Sequence, residues 1–255
     1  MATFTGITVL PGNDRRGETE SFDMITIRPG DTVSIVGPTG SGKSAFINDI
    51  EVFAQADTVT GRTVLVNGEA PSEEICRDPA KKPIALITQN SKCLADLPVQ
   101  DFLAMHIVAR RIENATLVDK TIALANEFTG EAVGRTMRMT ALSGGQTRAL
   151  MIADALLVSN TPIILLDEIE NAGIFKARVI ARLREHHRAV IFVTHDPLVS
   201  LLSDRRIVMR NGAVVDVLEP NGTEHEALAA LTAIDDRLSA VRERIRSGEV
   251  LAGGF

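Results

Sequence analysis

The chain contains no tryptophan and no tyrosine, and aromatic residues make up only 4% of its 255 positions. Its core must therefore be aliphatic, and platforms on which nucleobases could stack are scarce. Positive charge is not in excess either. Thirty-three acidic residues outweigh 27 basic ones, for a formal net charge of −6. Non-specific nucleic-acid binding needs a basic stripe, so no nucleic-acid partner is expected, and any anion must be held by a local site. The two cysteines, Cys76 and Cys93, form neither a metal-binding spacing nor a disulfide framework, a usage that suits a reducing cytosol. No apolar run approaches the roughly 20 residues of a membrane span. The opening MATFTGITVL lacks the basic start and long apolar core of a signal peptide. The expected location is cytoplasmic, free or peripheral on the cytoplasmic face of a membrane, with any membrane task carried out through another chain.

What is present is enough apolar material for a full core, 45% of the chain. Residues 3–10 and 22–28 alternate apolar and polar and predict two antiparallel strands, joined by the polar, turn-rich PGNDRRGETE. TVSIV at 32–36 predicts a buried strand and 43–54 a helix. TVLVNGEA at 63–70 predicts a strand entering an Asn-Gly turn. IALIT at 84–88 is another short buried strand. A mainly helical stretch over about 92–158 follows, containing DFLAMHIVARRI and LVDKTIALANEF with three-four apolar spacing. Strands return at 162–167 and 189–194 around a helix at about 174–186. RRIVMRNGAVVDV predicts a hairpin turning at Asn211-Gly212. Residues 224–246 predict an amphipathic helix with a seam of Leu228, Leu231, Ile234, Leu238, Val241 and Ile245. Alternating strands and helices imply a parallel sheet covered on both faces. The expected architecture is α/β with a mainly parallel core, an N-terminal antiparallel β subdomain and an inserted helical lobe, all within one unit over residues 1–255.

Three motifs carry chemistry. GPTGSGKS, comprising Gly37, Pro38, Thr39, Gly40, Ser41, Gly42, Lys43 and Ser44, fits the pattern G-x-x-x-x-G-K-[ST]. Its glycines let successive backbone amides point inward at the start of a helix, making a nest for phosphate. Lys43 is placed to reach the β and γ phosphates and the Ser44 hydroxyl to ligate Mg2+. IILLDE ends a buried strand in Asp167 and Glu168. Two acids there are costly unless they bind a cation or stay solvated. Asp167 fits a Mg2+ partner and Glu168 a base that polarises the attacking water. LSGGQ places Ser143 as an N-cap, with Gly144, Gly145 and Gln146 opening the helix that continues through TRALMIADALL. It is a second anion site of the same physical kind.

Taken in order, these residues resemble the nucleotide-binding subunit of the ATP-binding-cassette superfamily, which implies the α/β fold of a P-loop NTPase. The resemblance spans roughly residues 3–218. It implies ATP and Mg2+ as ligands, a Q-loop role for Gln89 beside Ser44 and Asp167, and a switch-histidine role for His195 at the γ-phosphate. It implies a head-to-tail dimer with an identical or related cassette, in which Ser143, Gly144, Gly145 and Gln146 close in trans over ATP held by the partner's P-loop. It implies work on a membrane transporter whose integral-membrane permease is a separate chain. The alternative partner is a soluble protein or enzyme complex that the ATPase remodels. Three positions depart from the family pattern. PGNDRRGETE has no aromatic for adenine, with Phe4 and Phe22 as the nearest rings. Ile174 stands where a closing Asp is usual after the catalytic Glu. Asp154 stands where an Arg is common.

Overall fold

The structure, a computed structural model, describes residues 4–88, 95–168 and 173–250. Strands β1 (Ile7–Leu10) and β2 (Ile25–Ile27) come first, then the parallel strand β3 (Thr32–Val36), helix α1 (Lys43–Val52) and strand β4 (Thr63–Val66). β1 is the middle strand of an antiparallel sheet in the order β2-β1-β4. Ile7 lies opposite Ile27 and Val66, and Val9 opposite Ile25 and Val64. Alternation puts all of these side chains on one face, and every one is buried.

The second sheet adds β5 (Ile84–Ile87), β6 (Ile163–Asp167), β7 (Ala189–Val193), β8 (Arg205–Arg210) and β9 (Ala213–Leu218), in the order β5-β6-β7-β3-β8-β9. Its pairs are parallel except for the antiparallel hairpin β8–β9. A period of two divides the core along this sheet. Ile163, Leu165, Ala189, Ile191 and Val193 pack toward α1 and the antiparallel sheet. Ile164, Leu166, Val190 and Phe192 pack toward the opposite layer of helices. Those strands read as unbroken apolar runs because both faces are covered. Each fully buried side chain of this size contributes about 1.5–3 kcal/mol.

The helices after α1 are α2 (Glu73–Arg77), α3 (Val99–Ala109), α4 (Leu117–Phe128), α5 (Gly144–Leu157), α6 (Lys176–Glu185), α7 (Pro197–Leu202) and α8 (Gly222–Arg246). The block α3–α5 lies between β5 and β6 in the chain, with a short 3-10 turn, Met139–Ala141, leading into α5. The expected fold class is the observed one.

The expected strand from residue 63 runs to Val66 and enters the Asn-Gly turn, where Asn67 (φ 55°) and Gly68 (φ 85°) reverse the chain. Asn67 is held there by the amide of Thr5, which donates to its Oδ1 at 2.7 Å. Two short helices, α2 and α7, were not anticipated. Both carry side-chain caps: Ser72 Oγ accepts from the Ile75 amide, and Asp196 Oδ1 accepts from the amides of Leu198 and Val199. Pro197 occupies the first turn of α7. The seam of α8 is only partly covered. Leu228 sits beside Leu201, Leu202 and Pro220, whereas Ile234, Leu238 and Ile245 are exposed.

One buried charged cluster joins the layers. The Arg62 side chain has no exposure to solvent and grips Glu20 with two hydrogen bonds, Nε to Oε2 at 2.8 Å and Nη2 to Oε1 at 2.6 Å. It also donates to Asp49 of α1 at 3.1 Å and to the Gly212 carbonyl at 2.8 Å. Thr58 and Thr60 donate to the Asp49 carboxylate, and the amides of Gly12 and Val214 donate to Glu20. The Arg62 guanidinium lies 5.0 Å from the centroid of the Phe46 ring. Charges this deep are tolerated because every carboxylate is bonded. The cluster fixes α1 and the β8–β9 turn relative to the N-terminal segment.

Candidate functional site

β3 delivers the chain into Gly37–Ser44, and two glycines there are dictated by crowding. A Cβ on Gly37 would lie 2.3 Å from the carbonyl oxygen of Met209 on β8. Gly42 caps α1 at φ 104°, where a Cβ would lie 2.9 Å from the Gly212 Cα. The loop is braced from within by Ser41 N donating to the Pro38 carbonyl at 3.0 Å, and from outside by Gly212 N donating to the Ser41 carbonyl at 2.8 Å. Lys43 is almost wholly buried. Its Nζ donates to the carbonyls of Gly37 and Pro38 at 2.8 and 3.1 Å, so the ammonium is drawn across the loop. Ser44 is exposed at the head of α1.

β6 and β7 end beside this loop. Asp167 pairs with Val193, and the amide of Glu168 donates to the Val193 carbonyl at 3.0 Å. Glu168 holds φ 50°, the left-handed region that non-glycine residues seldom adopt and that recurs at functional sites. His195 follows β7. Its Nε2 lies 3.9 Å from Glu168 Oε1. The next residue, Asp196, is pinned by its cap on α7, by its own amide donating to Thr194 Oγ1 at 2.9 Å and by an ion pair with Lys176. The His195 backbone is thereby fixed on its C-terminal side.

These elements converge on one cleft of about 310 Å³. Gly40, Gly42, Lys43 and Ser44 line it from the loop, and Glu168 and His195 from the strand ends. Arg15 joins them from the β1–β2 connection. Sequence reasoning did not single Arg15 out, and only the repeated arginine in PGNDRRGETE marks it. Gln89 lies outside the described residues, as does the segment 169–172.

None of Leu142 to Gln146 lines this cleft among the described residues. They open α5 instead, with a complete capping box. Ser143 Oγ accepts from the Gln146 amide at 3.3 Å, and Gln146 Oε1 accepts from the Ser143 amide at 2.9 Å. Ser143 Oγ also donates to Glu131 at 2.9 Å, and Gln146 Nε2 to the Ala132 carbonyl at 3.0 Å. Ser143 and Gly144 are exposed, whereas Gln146 is buried and turned back into its own chain.

Two of the unusual positions acquire a physical account. Ile174 is buried in the core shared with α4, beside the bond from the Phe175 amide to the Phe128 carbonyl at 2.8 Å. Asp154, buried in α5, lies 2.9 Å from His106 Nδ1 of α3 and ties the two helices together.

An amide nest at a helix start, facing a strand-end carboxylate and a histidine across one cleft, defines a P-loop nucleotide hydrolase. The particular family follows from comparison with known proteins: residues 23–171 match the model of the ABC transporter family, and the chain belongs to it. An uncharacterized ABC transporter ATP-binding protein of Methanocaldococcus jannaschii is 46% identical over 96% of this chain and 94% of its own length. A spermidine/putrescine import ATP-binding protein of Bacteroides fragilis is 27% identical over 85% of this chain. This chain spans 47% of that subunit's length. Among solved structures, a cbiO1 protein from Clostridium perfringens, part of an ABC transporter complex, superposes with a TM-score of 0.66 at 20% identity, over 94% of this chain and all of that one. The protein is an ATP-binding-cassette ATPase.

Proposed function

We propose that this ATPase works as a head-to-tail pair of cassettes that powers a membrane transporter, with the permease supplied by a separate chain. The observation that carries the pairing is the division of the motifs. P-loop, Glu168 and His195 share one cleft, while the exposed start of α5 at Ser143 and Gly144 stands outside it. A second copy can bring that helix start, with its free amides, over a triphosphate held in the first.

Within the cleft, the amides of Gly40 and Gly42 hold phosphate, as does Lys43 once its ammonium exchanges the loop carbonyls for phosphate oxygens, while Ser41 keeps the loop closed through its bond to Pro38. Pro38 and Thr39 shape the loop. Ser44 at the head of α1 and Asp167 at the end of β6 offer hard oxygen donors, which suits Mg2+. When bound there, the ion neutralises charge on the β and γ phosphates. Glu168 accepts a proton from the attacking water, and His195 holds the γ-phosphate beside it. Gln89 completes the set as the residue linking the site to the permease. In trans, the amides of Gly144 and Gly145 and the Ser143 hydroxyl face the γ-phosphate, while Gln146 keeps the helix start in shape through its capping bonds.

Transport is supported by the names of the relatives. On this reading the pair works at the cytoplasmic face of a membrane, against a partner with several apolar spans. Among the described residues of this chain no helix is long and apolar enough to cross one. The test is affinity purification of the tagged chain from gently solubilised membranes, where an integral-membrane protein is expected. Recovery with a soluble enzyme complex alone would overturn transport in favour of a remodelling role.

A further inference from the structure

We infer that Arg15 is a nucleotide-binding residue, a second fixed cation that the N-terminal segment lays over the P-loop to hold the polyphosphate of the bound nucleotide. The inference rests on the reading of the cleft as a nucleotide site and adds a ligand that the three sequence motifs do not contain.

The placement is built. The Asp14 carboxylate accepts the amides of Arg16 at 2.7 Å and Glu18 at 2.9 Å, and the Gly17 amide donates to the Asp14 carbonyl at 3.1 Å. This closes a tight turn that presents residue 15. The Arg15 amide then donates to the Asn211 carbonyl at 3.2 Å, docking the turn on the tip of the β8–β9 hairpin. The approach is as close as glycine permits. A Cβ on Gly212 would meet Arg15 Cγ at 2.9 Å, just as a Cβ on Gly42 would meet the Gly212 Cα at 2.9 Å. Arg15, Gly212 and Gly42 are thus stacked in three layers with no spare room. From the outermost layer, Arg15 Nη2 reaches the Gly40 carbonyl at 2.5 Å.

The chemistry points to phosphate. That single bond uses one guanidinium donor and leaves the others for a ligand. No carboxylate pairs with Arg15 among the described residues, whereas Arg205 and Arg206 on β8 are matched by Asp31 and Glu224. An uncompensated guanidinium at the lip of an anion nest, in the same cleft as Lys43 and Ser44, is suited to bidentate contact with phosphate oxygens. Charge, and not a stacked ring, is what this segment brings to the cleft.

The experiment measures binding to the full chain by calorimetry with three probes: ATP, GTP and inorganic tripolyphosphate. The proteins are the wild type, Arg15→Ala and Arg15→Lys, each with its melting temperature recorded. Arg15→Ala is expected to melt as the wild type does, since the side chain is exposed, and to bind all three probes about tenfold more weakly. Arg15→Lys should recover part of the loss. Weaker ATP binding with unchanged tripolyphosphate binding would move the contact to the base or ribose and overturn the inference. Unchanged binding of every probe by Arg15→Ala would overturn it too, while leaving the nucleotide site intact. A wild-type chain that binds none of the three would overturn the reading of the cleft itself.

Discussion

His195 Nε2 stands 3.9 Å from Glu168 Oε1 across the ends of two adjacent parallel strands. A carboxylate held at φ 50° beside a ring on the neighbouring strand end is a backbone arrangement, not a side-chain accident. Both groups line the cleft that Lys43 and Ser44 also line.

Replacing Glu168 by Gln keeps the shape and removes the base. Turnover is expected to fall by about 10²–10⁴-fold, the usual worth of a general base, with nucleotide binding retained. ATP should then trap a dimer visible by size-exclusion chromatography. A variant that stays monomeric with ATP would refute the head-to-tail pair. Lys43→Ala, by contrast, should lose binding itself.

Ser143 allows capping to be separated from contact in trans. Ser143→Ala removes an N-cap and half of a capping box, and should lower stability by about 1 kcal/mol. Ser143→Asn retains a good cap in a bulkier side chain. It should melt close to the wild type yet weaken the ATP-dependent dimer of the Glu168→Gln background. Equal dimerisation of the two backgrounds would show that the helix start makes no contact across the pair.

What the sequence disclosed was whatever is encoded locally. GPTGSGKS, IILLDE and LSGGQ each lie within eight consecutive residues, and the unbroken apolar runs of β6 and β7 announce a sheet buried on both faces. The Asn211-Gly212 turn was legible for the same reason. Long-range relationships were hidden. Nothing near Arg15 says that it will lie against Gly212, and nothing near Arg62 says that its partners are residues 20 and 49. The bonds that Gln146 makes to Ala132 and Ser143 were hidden in the same way, since its motif marks the residue without saying where its side chain bonds. The short helices α2 and α7 carried readable caps, Ser72 and Asp196-Pro197, but no apolar period to draw attention to them.

Arg62→Ala should be among the most destabilising single changes in the chain. It leaves the carboxylates of Glu20 and Asp49 buried without their cation, a loss of about 3–5 kcal/mol. Because Arg62 also holds the Gly212 carbonyl, partial unfolding should begin at the β8–β9 turn. Chemical denaturation gives the magnitude, and hydrogen exchange at the amides of Gly212 and Val214 gives the place. A loss below about 1 kcal/mol would mean that the cluster is hydrated in solution.

Asp14 supplies the last check, through pH. The amide of Glu18 is the main reason that its carboxyl is held below the ordinary value of 3.8. A depressed folded pKa favours the structured turn above the unfolded value, and that preference disappears as pH falls through the lowered pKa. Between about pH 6 and 8 the group stays ionised, so the turn should hold Arg15 equally well throughout, and nucleotide affinity should not vary on its account. As pH falls below the ordinary value of 3.8 and through the lowered pKa, the amides of Arg16 and Glu18 should lose protection relative to their intrinsic exchange rates as their acceptor is protonated. Asp14→Ala should reproduce that loss of protection at neutral pH and weaken tripolyphosphate binding in the same direction as Arg15→Ala, by a smaller factor. If Asp14→Ala left both the exchange rates and the binding untouched, the turn would not be what positions Arg15.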